Sequence, residues 1–165
     1  MKVATLGISL LLLAAGAVSA ASSGAKAVAH PAVERGMRDC ANRNRRAAGL
    51  ETLQPSRVLS EAARLQARDM AREDFFDHTD PQGRDPAERV EIFDREHRYA
   101  FVGENIAAGY ASTLTACQGW MQSPGHRENI LGRDYTAIGT GFSRGGEYGR
   151  YYVQVFAKEL AHRDH

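Results

Sequence analysis

The chain has 165 residues, and its 21 basic and 20 acidic side chains give a formal net charge of +1. The charges are balanced and no basic stripe runs along the chain, so we expect no nucleic-acid partner. The length allows one domain of ordinary size beside a targeting segment, with a core that buries about two-thirds of the unfolded surface.

The first twenty residues have the three parts of a secretory signal peptide. Lys2 supplies a positive charge, residues 6–18 form an apolar run rich in Leu and Ala, and Ala20 ends a stretch of small residues. The apolar run is shorter than the roughly 20 residues that span a membrane. We therefore predict cleavage near Ala20 and secretion to the extracellular or periplasmic space, without a transmembrane span. A retained N-terminal anchor is the alternative.

The rest of the chain divides into a leader, a domain and a tail. Residues 21–31 are rich in Ala, Ser and Gly and lack periodicity, which is typical of a flexible leader. Residues 161–165 form a short polar tail. The intervening residues 32–160 are predicted to fold as one domain, and we expect that domain to be a monomer.

Apolar residues recur at helical spacing through the first two-thirds of this domain. Gly49 ends the first helix, Ser56 is a good N-cap for the second, and Asp85 followed by Pro86 begins a third. Pro124 ends a fourth helix, because proline clashes with the preceding turn. The predicted helices cover about residues 33–48, 56–74, 85–94, 112–123 and 127–131.

Polar positions on these helices are interpreted as solvated faces. The clearest group is Arg43, Arg45 and Arg46 near the end of the first helix. All three fall outside its apolar spacing, and arginine is mostly exposed in folded proteins. We therefore expect the three guanidinium groups to face water.

The last third of the chain changes to the period of β-strands. Ile138, Thr140 and Phe142 alternate, residues 151–156 are rich in Tyr and Val, and the Gly-rich stretch between them predicts a hairpin. A shorter run at residues 99–102 also has strand character. Because the helices precede the hairpin, this order predicts an α+β domain with an antiparallel sheet.

The chain contains two cysteines, Cys40 and Cys117. Both lie on apolar faces of predicted helices, so both can point into one core. Export to an oxidising compartment permits a disulfide, and two cysteines allow one pairing. We predict the Cys40–Cys117 bridge, and two buried free thiols are the alternative.

Three polar side chains follow predicted elements and form the main candidate site. His78 follows the second helix, Glu104 the first strand, and His126 the fourth helix. Because polar groups at the ends of elements can converge, we expect these three to line one cleft. Two imidazoles and a carboxylate suit either a divalent metal such as zinc or acid–base pairs without a metal.

A structural role for the same residues is the alternative. Glu104 and His126 could tie two loops together through main-chain groups, while Asn105 and Asn129 could cap turns. The chain has no compact H-E-x-x-H or C-x-x-C metal motif. Ser123 lies three residues before His126, so this pair is a weak candidate for a nucleophile and its base.

Several ordered motifs resemble the CAP superfamily of cysteine-rich secretory proteins, antigen 5 and pathogenesis-related 1 proteins, and in particular its bacterial secreted SCP-like branch. The resemblance implies an α-β-α sandwich with a small, mainly antiparallel sheet between helices. It also implies a cleft with two His and two Glu, reported to bind zinc in some members. The matching motifs are FDHTDP at 76–81, GENIA at 103–107, WMQSPGHRENIL at 120–131, YTAIGTG at 135–141 and YVQVF at 152–156.

Two of the four family positions depart from the animal and plant pattern. His78 matches the first family histidine and Glu104 the first glutamate, but Ser123 stands near the position of the second glutamate. The second family histidine directly precedes an aromatic-Thr pair, where this chain has Asp134, so His126 is a displaced substitute. His78, His126 and Glu104 therefore remain as candidate ligands for zinc or another divalent cation.

The resemblance implies an extracellular binding protein more than an enzyme. We expect a His/Glu-lined cleft that holds a lipid, a peptide or another ligand of the cell envelope. A metal- or His-assisted hydrolase of peptide or ester bonds is the first alternative, with His78, Glu104, His126 and Ser123 as candidate catalytic residues. The lack of an unambiguous nucleophile counts against it. A structural secreted scaffold that binds a protein partner is the second alternative.

Overall fold

The computed structural model describes residues 28–96 and 98–160. The predicted signal peptide, most of the leader and the polar tail lie outside this part of the chain. No helix among the described residues combines the length and apolar character needed to cross a bilayer. The elements are α1 Pro31–Ala47, β1 Gln54–Pro55, α2 Arg57–Glu73, α3 Pro86–Glu91, β2 Tyr99–Ala108, α4 Thr113–Gln122, α5 Pro124–Leu131, β3 Ala137–Gly145 and β4 Gly149–Glu159.

The four strands form one mixed sheet in the order β1-β3-β4-β2. The pairs β3–β4 and β2–β4 are antiparallel, and β1 pairs with β3 in parallel. The predicted α+β class with a mainly antiparallel sheet is confirmed. Strand β1 forms because Gln54 N–H donates to the Thr136 carbonyl and Ser56 N–H to the Ile138 carbonyl, both at 2.9 Å.

Helices cover both faces of the sheet, which confirms the predicted sandwich. Successive strand side chains point to opposite faces, so alternate residues of β2 and β4 belong to two separate cores. Helices α2 and α3 pack on one face, around Ile106, Val153 and Val155. Helices α1, α4 and α5 pack on the other, around Ala107, Tyr152 and Phe156.

Two element boundaries differ from the sequence prediction and change how the candidate site is built. Strand β2 continues to Ala108, so Glu104 lies within the strand and not after it. A bulge between Ala100 and Gly103 interrupts the alternation from which a strand is recognised. Helix α5 begins at Pro124, a residue well suited to the first helical position, so His126 lies in the first turn of that helix.

The prediction that Arg45 faces water is wrong, because this side chain is 2% exposed. Its guanidinium donates to the carbonyls of Glu51, Ile130, Gly132 and Tyr135 at 2.7–3.4 Å. The Glu51 carbonyl lies between α1 and β1, the Ile130 carbonyl in the last turn of α5, and the other two between α5 and β3. Burial lowers the pKa of Arg45, because a charge away from water is costly. Arg43 and Arg46 are exposed, as expected.

The predicted disulfide is confirmed: Cys40 of α1 is bonded to Cys117 of α4, with Cα atoms 6.5 Å apart. The bridge joins positions 77 residues apart on two helices of the same layer. It therefore closes a long loop in the unfolded chain, which is the condition under which a disulfide is expected to stabilise most.

Removing this bridge is expected to lower the free energy of unfolding by about 2–4 kcal/mol, because the unfolded chain gains conformational freedom. The measurement is chemical denaturation of the wild type and of the double variant Cys40→Ala/Cys117→Ala. A reductant should destabilise the wild type by a similar amount and leave the double variant unchanged. Equal stability of the two proteins under oxidising conditions contradicts the prediction.

Candidate functional site

The candidate site is built on β2, which is an edge strand of the sheet. The Glu104 side chain points to the face covered by α2 and α3 and is 1% exposed. His78, in the loop after α2, places its Nδ1 atom 2.8 Å from Glu104 Oε1 and is 48% exposed. A buried carboxylate therefore orients a half-exposed imidazole, and the pairing through Nδ1 leaves Nε2 of His78 available.

Arg89 of α3 binds the second oxygen of the same carboxylate. Its Nη2 atom donates to Glu104 Oε2 at 2.9 Å, and both side chains are 1% exposed. Its Nη1 atom donates to the Arg84 carbonyl at 2.7 Å. Glu104 is thus held between an imidazole and a guanidinium, with each carboxylate oxygen engaged.

Two asparagines attach α5 to the opposite face of the same strand. Asn105 Nδ2 donates to the His126 carbonyl at 3.0 Å. Asn129 Nδ2 donates to the Glu104 carbonyl at 3.1 Å and to Asn105 Oδ1 at 3.0 Å. Because neighbouring strand residues point to opposite faces, Glu104 holds the His78 loop while Asn105 holds the start of α5. The β2 edge thereby joins two distant segments of the chain.

The open edge of β2 is partly covered by side-chain donors. In addition to the Asn129 bond, Trp120 Nε1 donates to the Ile106 carbonyl at 3.0 Å. These bonds satisfy strand carbonyls that would otherwise be open to pairing with another chain. Trp120 combines this hydrogen bond with packing in the core under α1, α4 and α5.

Gly103 is required here by the close approach of two side chains. A Cβ atom at this position would lie under 3.0 Å from the Tyr135 hydroxyl and 3.0 Å from Asn129 Oδ1. The Tyr135 hydroxyl itself lies 3.5 Å from Asn129 Oδ1. The glycine of the G-E-N-I motif therefore has a packing reason that is independent of chemistry at Glu104.

The two histidines have pKa values shifted in opposite directions. The hydrogen bond with Glu104 raises the pKa of His78, against a smaller opposing effect of burial. Burial lowers the pKa of His126, and the positive charge of His78 lowers it further. The two shifts separate the histidines: His78 holds its proton to a higher pH than His126 does.

Glu104→Gln is expected to lower the pKa of His78, because the amide removes the negative charge while keeping the shape of the side chain. The measurement is an NMR pH titration of the His78 imidazole in the wild type and the variant. Asp77→Asn is the matched control, since the charge of Asp77 raises the pKa of His78 less than Glu104 does. A shift no larger in Glu104→Gln than in Asp77→Asn contradicts the prediction.

The donor arrangement does not fit Glu104 as a metal ligand. No group of three or more His, Cys, Asp or Glu side chains among the described residues is placed to hold a metal ion. Glu104 binds His78 with one oxygen and Arg89 with the other, so it orients the His78 imidazole. The sequence prediction instead makes Glu104 a metal ligand. The metal centre of His78, His126 and Glu104 stays a prediction.

Ser123 is the N-cap residue of α5, but its side chain makes no capping hydrogen bond. Within residues 28–96 and 98–160, no hydrogen bond joins its hydroxyl to an imidazole. Its role as a nucleophile stays a prediction.

Residues 141–145 also have the pattern G-x-S-x-G, but they end strand β3 before a hairpin. A nucleophile elbow requires a strand-to-helix turn, so Ser143 does not occupy one.

Sequence reasoning missed Arg89, although a local signal was present. Asp85 and Glu88 form a capping box, with both reciprocal hydrogen bonds in place, and Pro86 occupies the first turn. These features fix the start of a short helix and place Arg89 next to the buried Val90. An arginine so close to a buried position on a well-capped helix is a candidate for a buried ion pair.

Comparison with known proteins identifies the family to which these motifs belong. The sequence profile of the cysteine-rich secretory protein family, CAP, matches residues 38–156. The uncharacterized protein YkwD of Bacillus subtilis (strain 168) is 36% identical over 115 residues, which cover 70% of this chain and 44% of YkwD.

Solved structures show the same fold. An extracellular protein containing an SCP domain from Bacillus anthracis is 27% identical with a TM-score of 0.69, over 78% of this chain and 41% of that one. A cysteine-rich secretory protein from Staphylococcus aureus is 21% identical with a TM-score of 0.63, over 78% of this chain and 39% of that one. This chain spans less than half the length of each of these three relatives. Because the profile match extends from α1 to β4, the chain belongs to the cysteine-rich secretory protein family, CAP.

Proposed function

We propose that this chain is a secreted, extracellular binding protein that holds a ligand of the cell envelope at the edge of β2. The ligand carries an anionic oxygen, either the phosphate of a lipid headgroup or the carboxylate of a peptide. The extracellular and secretory relatives support the location. Oriented polar groups at the junction of three segments support the binding site.

One observation carries this proposal: His78 is fixed through Nδ1 and half exposed. A histidine held in this way presents Nε2 to a ligand. When the imidazole is protonated, Nε2–H donates a charge-assisted hydrogen bond, which is shorter and stronger than a neutral one. The raised pKa of His78 favours this protonated form.

The positive charges beside Glu104 are one source of attraction for an anionic ligand. Protonated His78 and Arg89 each carry one positive charge, and Glu104 and Asp77 are the nearby carboxylates. Glu104 binds one cation with each of its oxygens, and the Nε2–H of protonated His78 is the group that we assign to the ligand. An incoming phosphate or carboxylate meets this donor at a partly dry site, where charge pairing is stronger than in bulk water.

The test measures binding of two anionic probes and their neutral counterparts. One pair is vesicles of phosphatidylglycerol and of phosphatidylcholine; the other is an N-acetylated tripeptide with a free carboxylate and the same peptide as its amide. We expect one anionic probe to bind the wild type and His78→Gln to weaken it about tenfold or more, since a hydrogen bond to a charged group contributes about 1.5–3 kcal/mol. Binding should also weaken as the pH rises through the pKa of His78.

His30→Gln is the matched control, because the His30 ring contacts Phe142, which belongs to the core on the other face of the sheet. It should bind like the wild type. Equal binding by His78→Gln, or no difference between anionic and neutral probes, contradicts the proposal. Turnover of ester or peptide probes that is lost in both His78→Gln and His126→Gln would favour the hydrolase instead.

A further inference from the structure

Arg89 is a buried cation whose position is set by its own helix. The capping box of Asp85 and Glu88 fixes the start of α3, and the Arg84 carbonyl accepts from Arg89 Nη1 at 2.7 Å. The side chain is 1% exposed, so it has little room to move aside. Its charge is also permanent, because an arginine is not deprotonated in proteins.

This cation holds one of the two carboxylate oxygens to which a metal ion could bind. Arg89 Nη2 lies 2.9 Å from Glu104 Oε2, and His78 Nδ1 lies 2.8 Å from Oε1. Each carboxylate oxygen keeps a further lone pair, so the hydrogen bonds alone do not exclude a metal. A zinc ion bound by Glu104 must approach an oxygen to about 2.0–2.2 Å, however, and at this 1% exposed carboxylate it must then lie close to the Arg89 guanidinium or displace it. Displacing Arg89 leaves a buried guanidinium without its counterion and next to a doubly charged ion, and both effects oppose binding.

We propose that Arg89 is the specificity-determining residue of the β2 edge, and that it excludes divalent metal from Glu104 by taking the place of the metal on that carboxylate. Glu104 then orients His78 and does not bind a metal ion. The role of Arg89 is positional, and it acts through Glu104. This inference concerns metal exclusion and does not depend on the anionic ligand proposed above.

Zinc titration of the purified chain tests the role of Arg89, with NMR signals of the His78 imidazole and calorimetry as readouts. His78→Gln measures background binding by other histidines. We expect the wild type and Glu104→Gln to bind zinc equally weakly. Arg89→Met should gain at least tenfold in zinc affinity, and the further change Glu104→Gln should abolish that gain. Arg89→Lys keeps the positive charge and should retain the weak binding of the wild type.

Three results overturn the inference. The first is a zinc affinity that falls tenfold or more from the wild type to Glu104→Gln. The second is a folded Arg89→Met variant that gains no zinc affinity. The third is a gain of zinc affinity that is equal in Arg89→Lys and Arg89→Met. If Arg89→Met does not fold, the comparison of the wild type with Glu104→Gln decides. The anionic probes are read in separate experiments without zinc, so failure of the proposed binding function is distinguishable from failure of metal exclusion.

Discussion

Replacing Arg45 with methionine is expected to lower the free energy of unfolding by about 4–5 kcal/mol, because each buried acceptor left unpaired costs about 1–3 kcal/mol. Methionine has a comparable length but donates no hydrogen bond. The carbonyls of Glu51, Ile130, Gly132 and Tyr135 would lose their donor together. Chemical denaturation of the purified variant provides the measurement.

Arg46→Met is the matched control for this change. Arg46 is the next residue of α1 and is exposed, so its loss should change stability by no more than about 0.5 kcal/mol. A similar effect of the two substitutions would show that the loss of a positive charge matters and the carbonyl contacts do not. Arg45→Lys should be intermediate, because one ammonium cannot reach all four carbonyls in the geometry of a planar guanidinium.

Gly139→Val is expected to cost more than about 3 kcal/mol, or to prevent folding, because overpacking against main chain cannot be relieved by a side-chain rotation. A Cβ atom at Gly139 would lie under 3.0 Å from main-chain atoms of Leu59 and Ser60. Helix α2 therefore rests directly on β3, and any side chain at this position separates the two. Thermal and chemical denaturation measure the loss, and the yield of folded protein covers the case in which folding fails.

Gly125→Ala is the control for adding a side chain at a glycine. A Cβ atom there meets nothing within 4 Å, and the residue lies in α5, where alanine is the better helix former. We expect a neutral or slightly stabilising effect. A loss of stability at position 125 as large as that at position 139 would contradict the role assigned to close packing of α2 on β3.

Capping motifs and strand alternation predicted several elements correctly. Ser56 accepts from the Leu59 N–H and Asp85 from the Glu88 N–H, as their capping signatures indicate. The hairpin strands alternate as predicted, with Ile138 and Phe142 in one core. In each case the deciding interactions lie within a few residues of one another, so the information is present in a short window of sequence.

Positions that depend on distant partners were not predictable in the same way. Arg45 occupies a polar position by helical periodicity, but three of its carbonyl partners are 85–90 residues away in sequence. Arg89 and Glu104 are separated by 15 residues and meet only when α3 packs against β2. A local pattern assigns a charged side chain to water, whereas tertiary packing can supply carbonyls or a carboxylate in its place.

The sequence by itself determined the family, the α+β class and the pairing of Cys40 with Cys117, and it predicted His78 and Glu104 as candidate site residues. Each of these follows from ordered motifs or from residue types that allow few alternatives. Only the tertiary structure decided what Glu104 does, because its two oxygens are taken by an imidazole and a guanidinium from different segments. The same holds for His126, which reaches the β2 edge through a main-chain carbonyl held by Asn105. A carboxylate becomes a ligand or an orienting group according to its neighbours, and those neighbours come together only when the chain folds.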